Sequence, residues 1–231
     1  MSIHENLNRI KEEIHDVEIK TGRSPGSVSL VAVSKFHPDT AVVEALKAGQ
    51  LLFGENRVQE AEEKFSRVLQ NHQNVELHMI GNLQRNKVAT ILPLASCIQS
   101  LDRIELLKEI EKRAKNLNKT ISVLFELHTG EATKAGFASK ESLFPALDLL
   151  AVCPHVHCSG LMTMAPFTTA EQEIRASFSS LKSMQNLCEQ AYPDTDFSVL
   201  SMGMSNDYRI AIEEGSTMLR IGTAIFGDRR V

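Results

Sequence analysis

The chain contains no tryptophan and only two tyrosines, Tyr192 and Tyr208, among 231 residues. Glycine and proline together are scarce, with 12 and 7 copies, which excludes collagen-like and low-complexity disordered classes. No uninterrupted apolar run approaches the ~20 residues that span a bilayer. The N-terminus, MSIHENLNRIKEEIHDVEIK, lacks the apolar core of a secretory signal. Lys and Arg form no dense block, and the net charge is −4, so there is no electrostatic footprint for nucleic acid. The four cysteines, Cys97, Cys153, Cys158 and Cys188, lack CxxC spacing. CPHVHC (153–158) has the residue types of a metal site, but Cys158 runs on into apolar CSGLMTM, as a strand residue would. Reduced thiols in a cytoplasmic protein are the expectation.

What is present is a regular alternation. Ile3, Leu7, Ile10, Ile14 and Val17 recur at spacings of three and four, which predicts a helix over 3–20. Eight β-rich runs then begin near residues 28, 51, 75, 95, 121, 156, 197 and 217, about 27 residues apart and close to the ~30 of one βαβ unit. Helical patterns separate them: TAVVEALKA up to Gly49, 57–70, about 85–91, RIELLKEIEKRAKNL with Asp102 as N-cap, 140–152, 170–192 and 207–214. Most runs are continuously apolar, the mark of parallel strands covered on both faces. Eight such units in one undivided chain predict a single-domain (β/α)8 TIM barrel over 1–231 with an extra N-terminal helix. A doubly wound open sheet is the competing arrangement.

A barrel carries its chemistry at the carboxyl ends of its strands. Lys35 ends the first strand there, among apolar residues that disfavour the ammonium form. A neutral amine in that position can form a Schiff base with an aldehyde; a snorkelling lysine is the plainer reading. SMGMSND (201–207) joins the seventh strand to a helix, and RIGTAIFG (220–227) ends the eighth run. Ser205 with the backbone of Gly222 and Thr223 makes a phosphate cradle in the loops where barrels commonly bind phosphate. Arg220 lies inside an apolar run and needs either a carboxylate partner or a ligand. Lysine, cradle and arginine together suit pyridoxal 5′-phosphate, which has an aldehyde, a phosphate and a ring nitrogen.

In order along nearly the whole chain, VAVSK (31–35), FGENRVQE (53–60), HMIGNLQRNK (78–87), GEATKAGF (130–137), GLMTMAP (160–166) and LSMGMSNDYRIAIEEGSTMLRIGTAIFG (200–227), followed by Asp228–Arg229, resemble the pyridoxal-phosphate homeostasis family. Its members are small single-domain relatives of the alanine racemase barrel, of the fold type III class. The resemblance implies a covalent aldimine on Lys35, phosphate contacts from Ser205, Gly222 and Thr223, and Arg220 facing the pyridine nitrogen. It puts Asn56 at a strand end beside the cofactor and makes Met202 and Met204 walls for the ring. His78 belongs to a family motif, but a buried, satisfied histidine is the simpler reading. The chain departs from the family at Leu77, where tryptophan is frequent, at Asn82, where proline is, and at Glu126-Leu127-His128.

The implied activity is cofactor holding without substantial turnover, by a cytoplasmic monomer whose partners are pyridoxal phosphate and apo-enzymes that receive it. An amino-acid racemase or decarboxylase of the same fold is the alternative, and a cofactor-free Schiff-base aldolase a remote third. Arg220 against the ring nitrogen would disfavour its protonation and leave a weak electron sink.

Overall fold

In the computed structural model, which describes residues 2–130 and 135–227, eight parallel strands close into a barrel in simple sequential order. The elements run α1 (Ile3–Lys20), β1 (Ser29–Val33), α2 (Asp39–Lys47), β2 (Leu52–Glu55), α3 (Val58–Asn71), β3 (Glu76–Met79), α4 (Val88–Ile91), β4 (Cys97–Leu101), α5 (Ile104–Asn116), β5 (Ile121–Glu126), α6 (Lys140–Asp148), β6 (Val156–Met162), α7 (Glu171–Ala191), β7 (Val199–Ser201), α8 (Tyr208–Glu213), β8 (Met218–Ile221) and α9 (Thr223–Phe226). Closure comes from β1 pairing with β8 through Val31 and Arg220 and their neighbours, so no sheet edge is left open. The open-sheet alternative is thereby excluded.

Every strand residue faces either the barrel axis or the helical ring, because side chains alternate. Phe53 on β2 points outward and meets Phe65 of α3 with ring centroids 5.7 Å apart. The outward layer forms the main core and includes Leu77, Ile98, Phe125, Leu161 and Leu219. The axis holds a smaller apolar cluster of Cys97, Leu124 and Met162. All four cysteines are buried and unpaired; Cys158 is in β6, and His155 beside it gives its Nδ1 to Glu111 at 2.8 Å.

Helix α1 starts from a full capping box between Ser2 and Glu5, buries Leu7, Ile10, Ile14 and Val17, and docks on the last units. Its Asn6 amide donates to the Ile225 carbonyl at 2.9 Å, and Glu13 accepts from Tyr208 and Arg209.

Three boundaries differ from the sequence expectation. Asp102 does not cap α5; Arg103 occupies the N-cap, and the Asp102 carboxylate accepts from Arg103 and from the Asn82 amide. The 140–152 helix ends at Asp148, and Leu149–Val152 tightens into a 3₁₀ turn. The run 217–227 is not one strand: it stops at Ile221 and turns into α9. Among the described residues no helix is long and apolar enough to cross a membrane.

Candidate functional site

The strand carboxyl ends surround a cavity of about 490 Å³. Its wall is built from the exits of five strands: Lys35 after β1, Asn56 after β2, Ile80 after β3, Met164 and Pro166 after β6, and Met204 and Ser205 after β7. β8 and its turn add Arg220, Gly222 and Thr223. A hollow of similar size at the opposite end, beside Lys11, His15 and Glu18, lies at the strands' amino ends, where barrels do not place chemistry.

Seven of the eight residues singled out from the sequence therefore converge: Lys35, Asn56, Met204, Ser205, Arg220, Gly222 and Thr223. Met202 does not. Ser201 points to the axis, so Met202 points outward and is fully buried in the main core. Gly203 then takes φ +98, a left-handed conformation that breaks the alternation and brings Met204 back to the cavity. A side chain at Gly203 would meet Ala211 Cβ at 2.5 Å.

Arg220 is buried, yet its charge is well supported. One terminal nitrogen donates to Ser201 Oγ at 2.6 Å and the other to the Thr163 carbonyl at 2.7 Å. Burial pulls its pKa down to about 10, opposed by the charges of Glu126 and Asp207, so it stays cationic at neutral pH. Behind it, Ser201 donates to Gln99 Oε1 at 2.7 Å, and Gln99 Nε2 lies 2.8 Å from His78 Nδ1. Burial takes the His78 ring down to about 4, so the chain of bonds ends on a neutral imidazole that accepts from Gln99. His78 is thus a satisfied interior group, and it does not line the cavity. Each of these side chains is an inward-facing polar residue in an apolar strand, and that pattern is the one sequence signal that could have marked Gln99 and Ser201.

The corner between β7 and β8 is made of small groups. Asp207 Oδ1 accepts the Met204 amide at 2.5 Å, which closes the turn. Ser205 Oγ accepts the Ala224 amide at 3.3 Å, which leaves its own hydroxyl proton to donate. Among the described residues, the Ser205 and Asn206 amides have no acceptor. At Gly222 a Cβ would meet the Val33 carbonyl at 3.1 Å, so the wall approaches β1 closely there. Across the cavity, Asn56 Oδ1 is buried without a hydrogen-bond partner. A buried orphan acceptor beside Lys35, a fixed arginine and a donor-rich small-residue corner fit pyridoxal phosphate by the chemistry of the donor set. Residues 131–134 of GEATKAGF and Asp228–Arg229 lie outside the described residues.

The alanine racemase N-terminal domain family matches this chain over residues 5–230. The pyridoxal phosphate homeostasis protein of Vibrio cholerae is 39% identical over 232 residues, covering 99% of this chain and 97% of that protein. That of Aquifex aeolicus is 35% identical over the whole of both. The structure of PipY from Synechococcus elongatus with pyridoxal phosphate bound superposes with a TM-score of 0.86 at 33% identity, over 98% of this chain and 100% of PipY. Alanine racemase of Clostridium difficile shares the fold at 16% identity and a TM-score of 0.74; this chain spans 57% of it.

Proposed function

The chain belongs to the alanine racemase N-terminal domain family and, within it, to the pyridoxal phosphate homeostasis proteins, and from that premise we propose that it holds pyridoxal 5′-phosphate covalently on Lys35 without substantial turnover. The observation that carries this reading is the convergence of Lys35, Asn56, Arg220 and the Ser205/Gly222/Thr223 corner on one cavity. When bound, pyridoxal phosphate supplies an aldehyde carbon for an amine to attack. Lys35 Nζ, at the exit of β1, is the amine that would meet that aldehyde. Ser205 Oγ, the Ser205 and Asn206 amides, Gly222 and Thr223 hold the phosphate. Arg220, its orientation fixed by Ser201 and Thr163, would face the ring nitrogen. Asn56 Oδ1 accepts from the ligand's polar edge or from the Lys35 side of the site, and Met204 and Met164 supply apolar walls.

The role is a cytoplasmic one, and the four free, buried cysteines are consistent with it. The protein acts as a monomer that limits free aldehyde and hands cofactor to apo-enzymes. The test is borohydride reduction of the cofactor-loaded protein followed by peptide mass mapping. The adduct is expected on Lys35; an adduct on another lysine, with Lys35 unmodified, would overturn the assignment.

A further inference from the structure

Lys35 follows β1 in a turn held from behind by three charged side chains, of which Glu55 is buried and Glu60 and Lys64 are partly buried. Glu55 ends β2 on the outward face, is fully buried, and lies under α3. Its Oε1 accepts from Ser34 Oγ at 2.7 Å and from Lys64 Nζ at 2.8 Å. Its Oε2 is buried without a partner, so all of its bonding is on the side of Ser34 and Lys64. Lys64 Nζ also donates to the Ser34 carbonyl at 2.8 Å and to Glu60 Oε2 at 3.3 Å. Glu60 Oε2 in turn accepts the Phe36 amide at 2.8 Å.

The residues on both sides of Lys35 are thus tied to one cluster of three charges. The tie on the far side meets a backbone that would not hold itself: Phe36 has φ +65, the left-handed region that bulky side chains rarely adopt. The Phe36 ring lies under the Arg57 guanidinium, 5.1 Å from its centroid. None of Glu55, Glu60 and Lys64 lines the cavity, so the cluster acts on a ligand only through the backbone it holds.

We propose that Lys64, with Glu55 and Glu60, is a positioning unit that fixes the Ser34–Phe36 turn and thereby aims the Lys35 amine across the cavity. The proposal rests on the reading of Lys35 as the attachment point. Its physical basis is that attack geometry is exacting: a displacement of about 1 Å can cost about 100-fold in rate. Among the described residues, the side-chain hydrogen bonds of the cluster run to Ser34 and Phe36 and among its own members, and not to Ser205, Gly222 or Thr223.

Two probes separate the effects. Pyridoxal 5′-phosphate reports covalent attachment, by the rate at which a borohydride-fixed adduct accumulates on Lys35. Pyridoxine 5′-phosphate has the same ring and phosphate but an alcohol in place of the aldehyde, and its affinity reports the rest of the site. Glu60→Ala removes the acceptor for Phe36 while leaving Lys64 paired with Glu55. Attachment is expected to slow by at least about 10-fold, with pyridoxine phosphate affinity held within about twofold. Glu60→Gln, whose amide oxygen can still accept from Phe36, is expected to restore most of the rate.

An unchanged attachment rate in Glu60→Ala would overturn the proposal, as would an equal loss for both probes. Failure of Glu60→Gln to recover any rate would also overturn it. If Glu60→Ala does not fold, Ser34→Ala removes only the neutral tie to Glu55 and carries the same comparison. The wild-type adduct is mapped first, so that attachment elsewhere than Lys35 refutes the underlying reading and is not mistaken for a failure of the cluster.

Discussion

Replacing Ser205 by alanine separates the phosphate corner from the rest of the site. In the free protein Ser205 Oγ accepts one long bond, 3.3 Å from the Ala224 amide, and the residue is only partly buried. The cost to folding is therefore small, within about 0.5 kcal/mol. In the proposed complex the same hydroxyl would donate to a phosphate oxygen. A hydrogen bond to a charged acceptor contributes about 1.5–3 kcal/mol, so affinity for pyridoxal phosphate should fall about 10- to 150-fold. Binding should persist, because the amides of Ser205 and Asn206 and the Gly222–Thr223 backbone remain. The assay is a four-way comparison by equilibrium titration of cofactor-free protein: wild type and Ser205→Ala, each with pyridoxal phosphate and with pyridoxal. Pyridoxal should bind wild type much more weakly than the phosphate ester and should bind both proteins alike. Equal losses for the two ligands on mutation, or equal wild-type affinities for them, would refute the corner as a phosphate site.

Two further outcomes concern stability. Burial holds the His78 ring neutral, with its pKa lowered to about 4, whereas in the unfolded chain it titrates near 6.5. The unfolded state alone therefore binds this proton as pH falls below 6.5, stability drops, and the dependence fades below about 4. Between pH 6.5 and 5 the loss should be about 1.5 kcal/mol, read by urea unfolding, and a His78→Phe variant should show a visibly flatter slope over that window. At Gly203, alanine adds a Cβ at φ +98, 2.5 Å from Ala211 Cβ and 2.8 Å from Leu219 Cδ2. It should cost about 1–3 kcal/mol, and an unchanged melting temperature would contradict the geometry.

The barrel was legible because its strands are apolar runs at a steady spacing with helical patterns between them, and all eight occur where expected. What failed were features that a linear pattern does not encode. TAIF (223–226) is as apolar as the strand before it, and periodicity cannot separate a short buried helix from a strand; only the structure shows Ile225 buried in a helical turn. Asp102 has the chemistry of an N-cap, but Arg103 and Asn82 take its carboxylate. Met202 and Met204 are two apart and would share a face on a regular strand, until Gly203 turns the chain between them. Lys35, Ser205, Gly222 and Thr223 were legible as residues of the strand-end cavity because each follows a strand, and Arg220 because it is a charge inside one. The supports behind them were not. Gln99 meets Ser201 across 102 residues, and Lys64 meets Ser34 across 30, so neither pairing leaves a local signature.

The arrangement that binds the cofactor also limits what can be done with it. Racemisation requires a proton to be taken from one face of a bound amino acid and returned to the other. Lys35 can serve one face, and the second needs a base of suitable reach. Neither tyrosine supplies it. Tyr192 ends α7 and donates to Asp148 Oδ1 at 2.8 Å on the outer surface, with its pKa raised to about 12 by burial and by that carboxylate. Tyr208 sits behind the β7–α8 turn and donates to Glu13 of α1; burial and the carboxylate raise its pKa as well. Both hydroxyls are thus committed to carboxylates away from the cavity and stay protonated at neutral pH. Arg220, cationic and locked by Ser201 and Thr163, adds a fixed positive charge to the wall that the ring nitrogen would meet. Loaded protein incubated with L-alanine and a panel of other L-amino acids should therefore yield no enantiomer above the Lys35→Ala control by chiral chromatography. Sustained turnover of about 1 s⁻¹ or more, abolished by Lys35→Ala, would mean that another cavity group, His37 or Asp207 first, reaches the second face.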